Sequence, residues 1–217
     1  MHFEILVEDQ SGKKALDILV PKIIGDNHTF RIISYKGIGR LPKGLTGTSD
    51  PKKRTLLDQL PKLLQGYGKS YTNNYPGVVI VVCDLDKSCL KIFRKELLQV
   101  LNHCNPSPIT RFCIAIEEGE AWFLGDLAAI KLAYPRANQK ILKSYQNDSI
   151  CETWEKLADA VYPGGAKELS KKGWQAVGAE KSKWAEKISP QLDVDNNQSP
   201  SFCYFRDQLR ELIAKPN

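Results

Sequence analysis

A chain of 217 residues with 42% hydrophobic and 26% charged residues, 15 glycines and 12 prolines has an ordinary globular composition, which excludes collagen-like, low-complexity and wholly disordered chains. It is long enough to bury a sizeable core as one large domain or a domain with a lobe. The net charge of +6 points toward a polyanionic partner or a solubilising surface, and where the charge lies decides which to test.

Taken in chain order, Phe3 to Val7 alternates like a strand and stops at Glu8 and Asp9. Lys13 to Ile24 then places Ala15, Leu16, Leu19, Val20, Ile23 and Ile24 at helical spacing. Phe30 to Tyr35 reads as a second strand. The stretch from 36 to 69 follows with eight basic residues against two acidic ones, an excess equal to that of the whole chain. Its first half, from Lys36 to Asp50, holds four glycines and a proline, which predicts a mobile surface loop. Such a loop can solubilise the protein or close over a polyanion, and charge alone favours neither.

Arg54 to Leu64 puts five leucines on one helical face, with Pro61 expected to bend or interrupt the helix. Val78 to Cys83 is apolar without alternation, the mark of a strand buried on both faces in a parallel sheet. It is also the longest apolar run, far too short to span a bilayer. Leu90 to Leu101 reads as helix and Arg111 to Ile116 as a fourth strand, ended by Glu117, Glu118 and Glu120. From about Leu127 the strand signal fades, and helices are predicted over 152–161, 166–172, 181–188 and 201–214. Strand alternating with helix four times predicts an α/β domain over 1–126, a mostly parallel sheet flanked by helices, with a helical extension over 127–217 packed on it.

Met1 to Glu4 shows none of the three regions of a signal peptide, so a cytoplasmic protein with no membrane contact is expected. The six cysteines form no C-x2-C pair and several sit in apolar segments, so buried thiols are expected rather than a disulfide or zinc framework. Trp122 and Trp154 could stack bases, though core positions are the plainer expectation.

In an open parallel sheet, ligands bind outside the carboxyl ends of the strands. Strand one ends at Glu8 and Asp9, strand three at Asp84 and Asp86, and strand four at Glu117, Glu118 and Glu120. Carboxylates crowded on one edge repel and raise one another's pKa unless a cation neutralises them, and hard oxygen donors in this number suit Mg²⁺ or Mn²⁺. Alternate residues leaving a strand can both turn toward one ion, so Asp84 and Asp86 form the sharpest pair, with Leu85 pointing into the core. Helix capping by Asp86 and a plain turn role for Glu8 are the competing expectations.

These acids, Glu8 after an apolar strand and Asp84-x-Asp86 after a second one, resemble the Toprim arrangement of topoisomerases, primases and overcoming-lysogenization-type nucleases. Ile116-Glu-Glu-Gly-Glu-Ala-Trp-Phe-Leu-Gly-Asp126, Tyr162-Pro-Gly-Gly-Ala166, Lys181-Ser-Lys-Trp-Ala185 and Ser199-Pro-Ser-Phe202 resemble more narrowly the Toprim-like DUF4276 family, often found beside ATPase genes in bacterial defence clusters. The resemblance covers nearly the whole chain. It implies a Toprim-like fold and Mg²⁺- or Mn²⁺-dependent phosphodiester hydrolysis on DNA or RNA, possible work with an ATPase partner, and roles for individual residues. Glu8 becomes general acid or base and, with Asp84, Asp86 and Glu120, a metal ligand. Asp9, Glu117 and Asp126 become supporting carboxylates. Arg40, Lys43, Lys52, Lys53 and Arg54 are the cations expected to hold the nucleic acid, because an acidic edge repels a polyanion unaided. One departure is Asp9, where Toprim usually has glycine. Two other functions compete. Asp84-x-Asp86 also resembles the opening of haloacid-dehalogenase-type phosphatases, although that motif belongs on a first strand and the later acidic pair, Asp193 and Asp195, lies in a polar linker. The other is a non-catalytic module that binds nucleic acid or an ATPase partner.

Overall fold

The computed structural model describes residues 1–45, 54–71, 75–149 and 152–214. Four strands, β1 (His2–Val7), β2 (Thr29–Ser34), β3 (Gly77–Asp84) and β4 (Thr110–Ala115), form one sheet in the order β2-β1-β3-β4, and every pairing is parallel. The α/β class and the parallel sheet expected from the chain pattern are what the chain forms. Helix α1 (Gln10–Ile24) connects β1 to β2, α2 (Leu56–Ser70) connects β2 to β3, and α3 (Leu90–Asn102) connects β3 to β4. The chain moves one way from β1 to β2 and the other way thereafter. Right-handed crossovers therefore place α1 on one face and α2 and α3 on the other.

The two cores follow from the period-two alternation of side chains along each strand. Phe3, Ile5, Val7, Val78, Ile80, Val82, Cys113 and Ala115 point to the α1 side, while Leu6, Val79, Val81, Cys83, Phe112 and Ile114 point to α2 and α3. Both faces of β3 are covered, which is why its sequence lacks alternation. Helix α2 corrects one expectation, because it runs through Pro61 to Ser70 without interruption. Burial of Leu56, Leu57, Leu60, Pro61 and Leu64 outweighs the hydrogen bond that proline removes.

Beyond β4 come the short helices α4 (Glu120–Leu124), α5 (Leu127–Ala133) and α6 (Gln139–Lys143), then α7 (Thr153–Val161), α8 (Gly165–Ser170), α9 (Trp174–Ile188) and α10 (Pro200–Ala214). Helices α4 to α6 span five to seven residues, too short to show a period. These helices share one hydrophobic core with α1 and the sheet, from Phe3 to Leu212. Trp122 and Trp154 are buried in it, Trp122 stacking on Phe205 at 5.0 Å and donating to Ser201, so core packing is their role. Helix α9 lies along α1 in the same direction: Lys14 pairs with Glu186, and Lys22 Nζ donates to the Pro190 carbonyl at 2.7 Å. Five cysteines among the described residues are free thiols, three of them buried; Cys151 lies outside the described residues. Among the described residues, no helix is long and apolar enough to cross a membrane.

Candidate acidic site at the carboxyl edge of the sheet

Strand order reverses between β1 and β3, where connections leave in opposite directions and a crevice opens at the carboxyl ends. Glu8 leaves β1 there and Asp84 ends β3 opposite it, because Val7 and Val82 are in register. The Asp84 backbone N–H donates to Glu8 Oε2 at 3.1 Å, which holds the Glu8 carboxylate over the end of β3. Behind Glu8, the Gly37 N–H donates to the Glu8 carbonyl at 2.8 Å and ties the start of the basic segment to the same edge. The enclosed space is about 40 Å³, room for an ion or a water rather than an organic ligand. A substrate must therefore approach from the mouth.

Lys181 of α9 enters this crevice from the helical side. Its side chain is 15% exposed, and Nζ lies 3.0 Å from Glu120 and 3.4 Å from Glu118. The shorter contact, to Glu120, buries that carboxylate against the ammonium as an ion pair. Burial alone would lower the Lys181 pKa, but Glu120, Glu118 and Asp84 outweigh it and hold the ammonium above its ordinary value. Two carboxylates thus pair with one ammonium, and Asp84 and Glu8 lie within its field. Burial, with Asp9 and Asp86 adding repulsion, pushes Glu8 up to about 7 against the opposing Asp84 N–H and Lys181. Burial and Glu8 drive Asp84 well above the usual carboxylate range. Glu118 also reaches about 7 through burial, offset in part by Lys181.

The sequence expectations separate here. Asp84 and Asp86 do not converge. Leu85 is buried as expected, but Asp86 takes a left-handed backbone (φ 50°) and is exposed. It lines a neighbouring groove of about 720 Å³ with Arg40 and Lys43, though its charge still reaches Glu8. Asp9 caps α1, accepting from the Gly12 N–H at 2.7 Å and from Ser11. Asp126 caps α5 and accepts from the Asp193 N–H, both at 2.9 Å. Glu120 pairs with Lys181 instead of standing free as a ligand. Arg54 sits on the β2 side with Lys36 and Gln10, while Lys52 and Lys53 lie outside the described residues. Asp193 and Asp195 line a turn before α10 and not the crevice, so the arrangement expected of a haloacid-dehalogenase-type site is not met.

Glu117 is the clearest correction. It is buried and accepts from the Glu152 N–H at 2.7 Å, the Thr153 N–H at 2.8 Å and the Thr153 hydroxyl, so it anchors the start of α7 rather than supporting a metal. Glu117→Ala leaves those donors buried without an acceptor and is expected to destabilise the protein by about 2–4 kcal/mol. Urea unfolding checks this, and an unchanged midpoint would contradict the capping role.

Glu118, expected on the acidic edge, has no role of its own in the sequence reading, and Lys181 is the member that sequence reasoning missed. In α9 the stripe Val177, Lys181, Trp184 and Ile188 has three-four spacing and is otherwise buried and apolar, so a lysine at a core position was the available signal.

The donor set is all oxygen, which suits a hard divalent cation. Among the described residues no three histidine, cysteine, aspartate or glutamate side chains form a ready-made metal cage. Mg²⁺ is commonly held by one or two carboxylates, with water and substrate phosphates completing its shell. Glu8 and Asp84, with one ammonium facing four carboxylates among the described residues, fit that pattern. No family model, no curated protein and no solved structure matches this chain.

Proposed function

We propose that the crevice between β1 and β3 hydrolyses phosphodiester bonds of nucleic acid with the help of Mg²⁺ or Mn²⁺. The observation that carries this is the pairing of Glu8 with Asp84 at the point of strand reversal, in a carboxylate cluster whose charge Lys181 only partly offsets. Asp84 would hold a divalent cation beside Glu8, and that cation would supply neutralisation of the phosphate and a lowered pKa for water. The chain's own groups supply the rest. Glu8, near pH 7 in its titration, is able to take or give a proton at neutral pH. The Asp84 N–H fixes one Glu8 oxygen and leaves the other for that transfer. Lys181 keeps the edge from repelling the substrate outright, and Arg40 and Lys43 line the neighbouring groove, where they would receive phosphates.

Purified protein incubated with supercoiled DNA, linear DNA and RNA is expected to cleave at least one of them only when Mg²⁺ or Mn²⁺ is added, and Asp84→Asn is expected to abolish cleavage. Equal cleavage by wild type and variant would overturn the site. The way Lys181 already fills the acidic cluster favours one alternative, a non-catalytic nucleic-acid-binding module, which predicts metal-independent retention of nucleic acid without nicking.

A further inference from the structure

We infer that Trp174, at the start of α9, is a stacking platform for an unpaired base of the substrate, and that the protein therefore acts on single-stranded or locally opened nucleic acid. This rests on the nucleic-acid role proposed for the crevice. Trp174 is 82% exposed, while Trp122, Trp154 and Trp184 are all buried. It nevertheless belongs to the inward stripe of its helix. Seven residues separate it from Lys181, two turns that return the side chain to within about 20° of the same direction and displace it by about 10 Å along the axis.

The register of α9 against α1 shows where that displacement leads. Lys14 pairs with Glu186 and Lys22 with the Pro190 carbonyl, and α1 begins at Gln10, directly after Glu8 and Asp9. Lys181 is thus level with the carboxyl edge of the sheet, and the two turns before it project past that edge. Trp174 does not line the crevice itself; the register would carry it about 10 Å beyond Lys181, past the carboxyl edge. Gly178, on the turn between them, leaves open space where a side chain would be, with nothing within 4 Å of an added Cβ. Gly173 adopts φ 84°, the left-handed conformation that turns the chain out of α8 and sets Trp174 as the first residue of α9. Lys171 and Lys172, both exposed, precede it in that turn.

An exposed indole beside cations is the arrangement that holds single strands, since every base has a π-face and stacking tolerates any sequence. A paired base in a duplex has its faces already stacked, so Trp174 discriminates by strand state. A phosphodiester in the crevice and a base on Trp174 would lie one or two nucleotides apart along an extended strand, given the displacement of about 10 Å.

The test measures binding of fluorescent 12-nucleotide single strands and a blunt duplex in EDTA, which prevents cleavage. Trp174→Ala is expected to weaken single-strand binding by roughly 5- to 150-fold and Trp174→Phe to recover most of it, with duplex binding changed less than about twofold. Because Trp174 is 82% exposed, both variants are expected to keep the wild-type circular dichroism. A scan of single abasic sites is expected to find one position that weakens the wild type and adds nothing in Trp174→Ala. Unchanged single-strand affinity, equal losses on strand and duplex, or a dimer lost in Trp174→Ala without an affinity change would overturn the stacking role. Wild-type protein that binds neither nucleic acid would instead remove the nucleic-acid role itself.

Discussion

Lys181→Met is expected to destabilise the protein by about 3–5 kcal/mol at pH 8, the cost of removing one partner from a buried ionic cluster. The Lys181 side chain is 15% exposed and its ammonium touches Glu120 and Glu118, and Asp84 adds to the field that holds it charged. Without it, Glu8, Asp84, Glu118 and Glu120 repel with no cation among them. The loss is expected to shrink as pH falls. Glu118 titrates near 7, and a protonated carboxyl needs no counter-charge. Asp84→Asn has the opposite sign: it removes a like charge from the same cluster and is expected to raise the stability of the metal-free protein. Urea unfolding at pH 5 and pH 8 separates electrostatics from packing. A Lys181→Met loss equal at both pH values would mean that only the aliphatic stem mattered.

Glu8→Gln is expected to lower phosphodiester turnover by roughly 10²- to 10⁴-fold, the usual contribution of a positioned general acid or base. Burial, reinforced by Asp9 and Asp86, moves Glu8 from 4.5 to about 7 in the metal-free protein, and a cation beside it lowers that value again, so the wild-type pH–rate profile is expected to bend at or below pH 7. A rate that rises through the bend identifies a base and one that falls identifies an acid. The same shift sets a stability slope. A carboxyl with a raised folded pKa contributes stability that is fully present below 4.5 and is lost as pH rises through about 7. Over that window the metal-free protein is expected to lose about 3 kcal/mol from this group, and Glu8→Gln is expected to remove that slope. Asp9→Asn provides the control, because Asp9 caps α1. It is expected to cost about 1 kcal/mol or less and to shift the bend of the pH–rate profile to lower pH, without the large loss of turnover expected of Glu8→Gln. Wild-type turnover in Glu8→Gln would reduce Glu8 to a turn residue.

Much of this arrangement is visible in the order of residues. The unalternating run Val78 to Cys83 announces a central parallel strand, and the ends of β1 and β3 locate Glu8 and Asp84 at one edge before any coordinates are known. What cannot be separated there is a ligand from a cap. Asp9, Glu117 and Asp126 sit where strands end and helices begin, and both metals and helix N-termini draw carboxylates to those places. Their backbone donors, Gly12, Thr153 and Ala129, decide the matter and are set by tertiary structure. Asp86 fails for a local reason, because the left-handed turn at that residue swings it out of the line that strand alternation assumes. Lys181 lies 97 positions from Asp84 in the chain, and a helix predicted to start at Lys181 makes it a surface residue. Only the seven residues before it, which extend α9 back to Trp174, turn it inward.

The most direct test is a calorimetric titration of Mn²⁺ into wild-type and Asp84→Asn protein at pH 6.5, in two buffers of different ionisation heat. Wild type is expected to bind with release of a proton, because burial and Glu8 hold the Asp84 carboxyl well above the usual range and it must ionise to serve as a ligand. Asp84→Asn is expected to lose the binding while remaining folded. Binding of equal affinity in both proteins, or none in the wild type, would contradict a divalent cation site at Glu8 and Asp84.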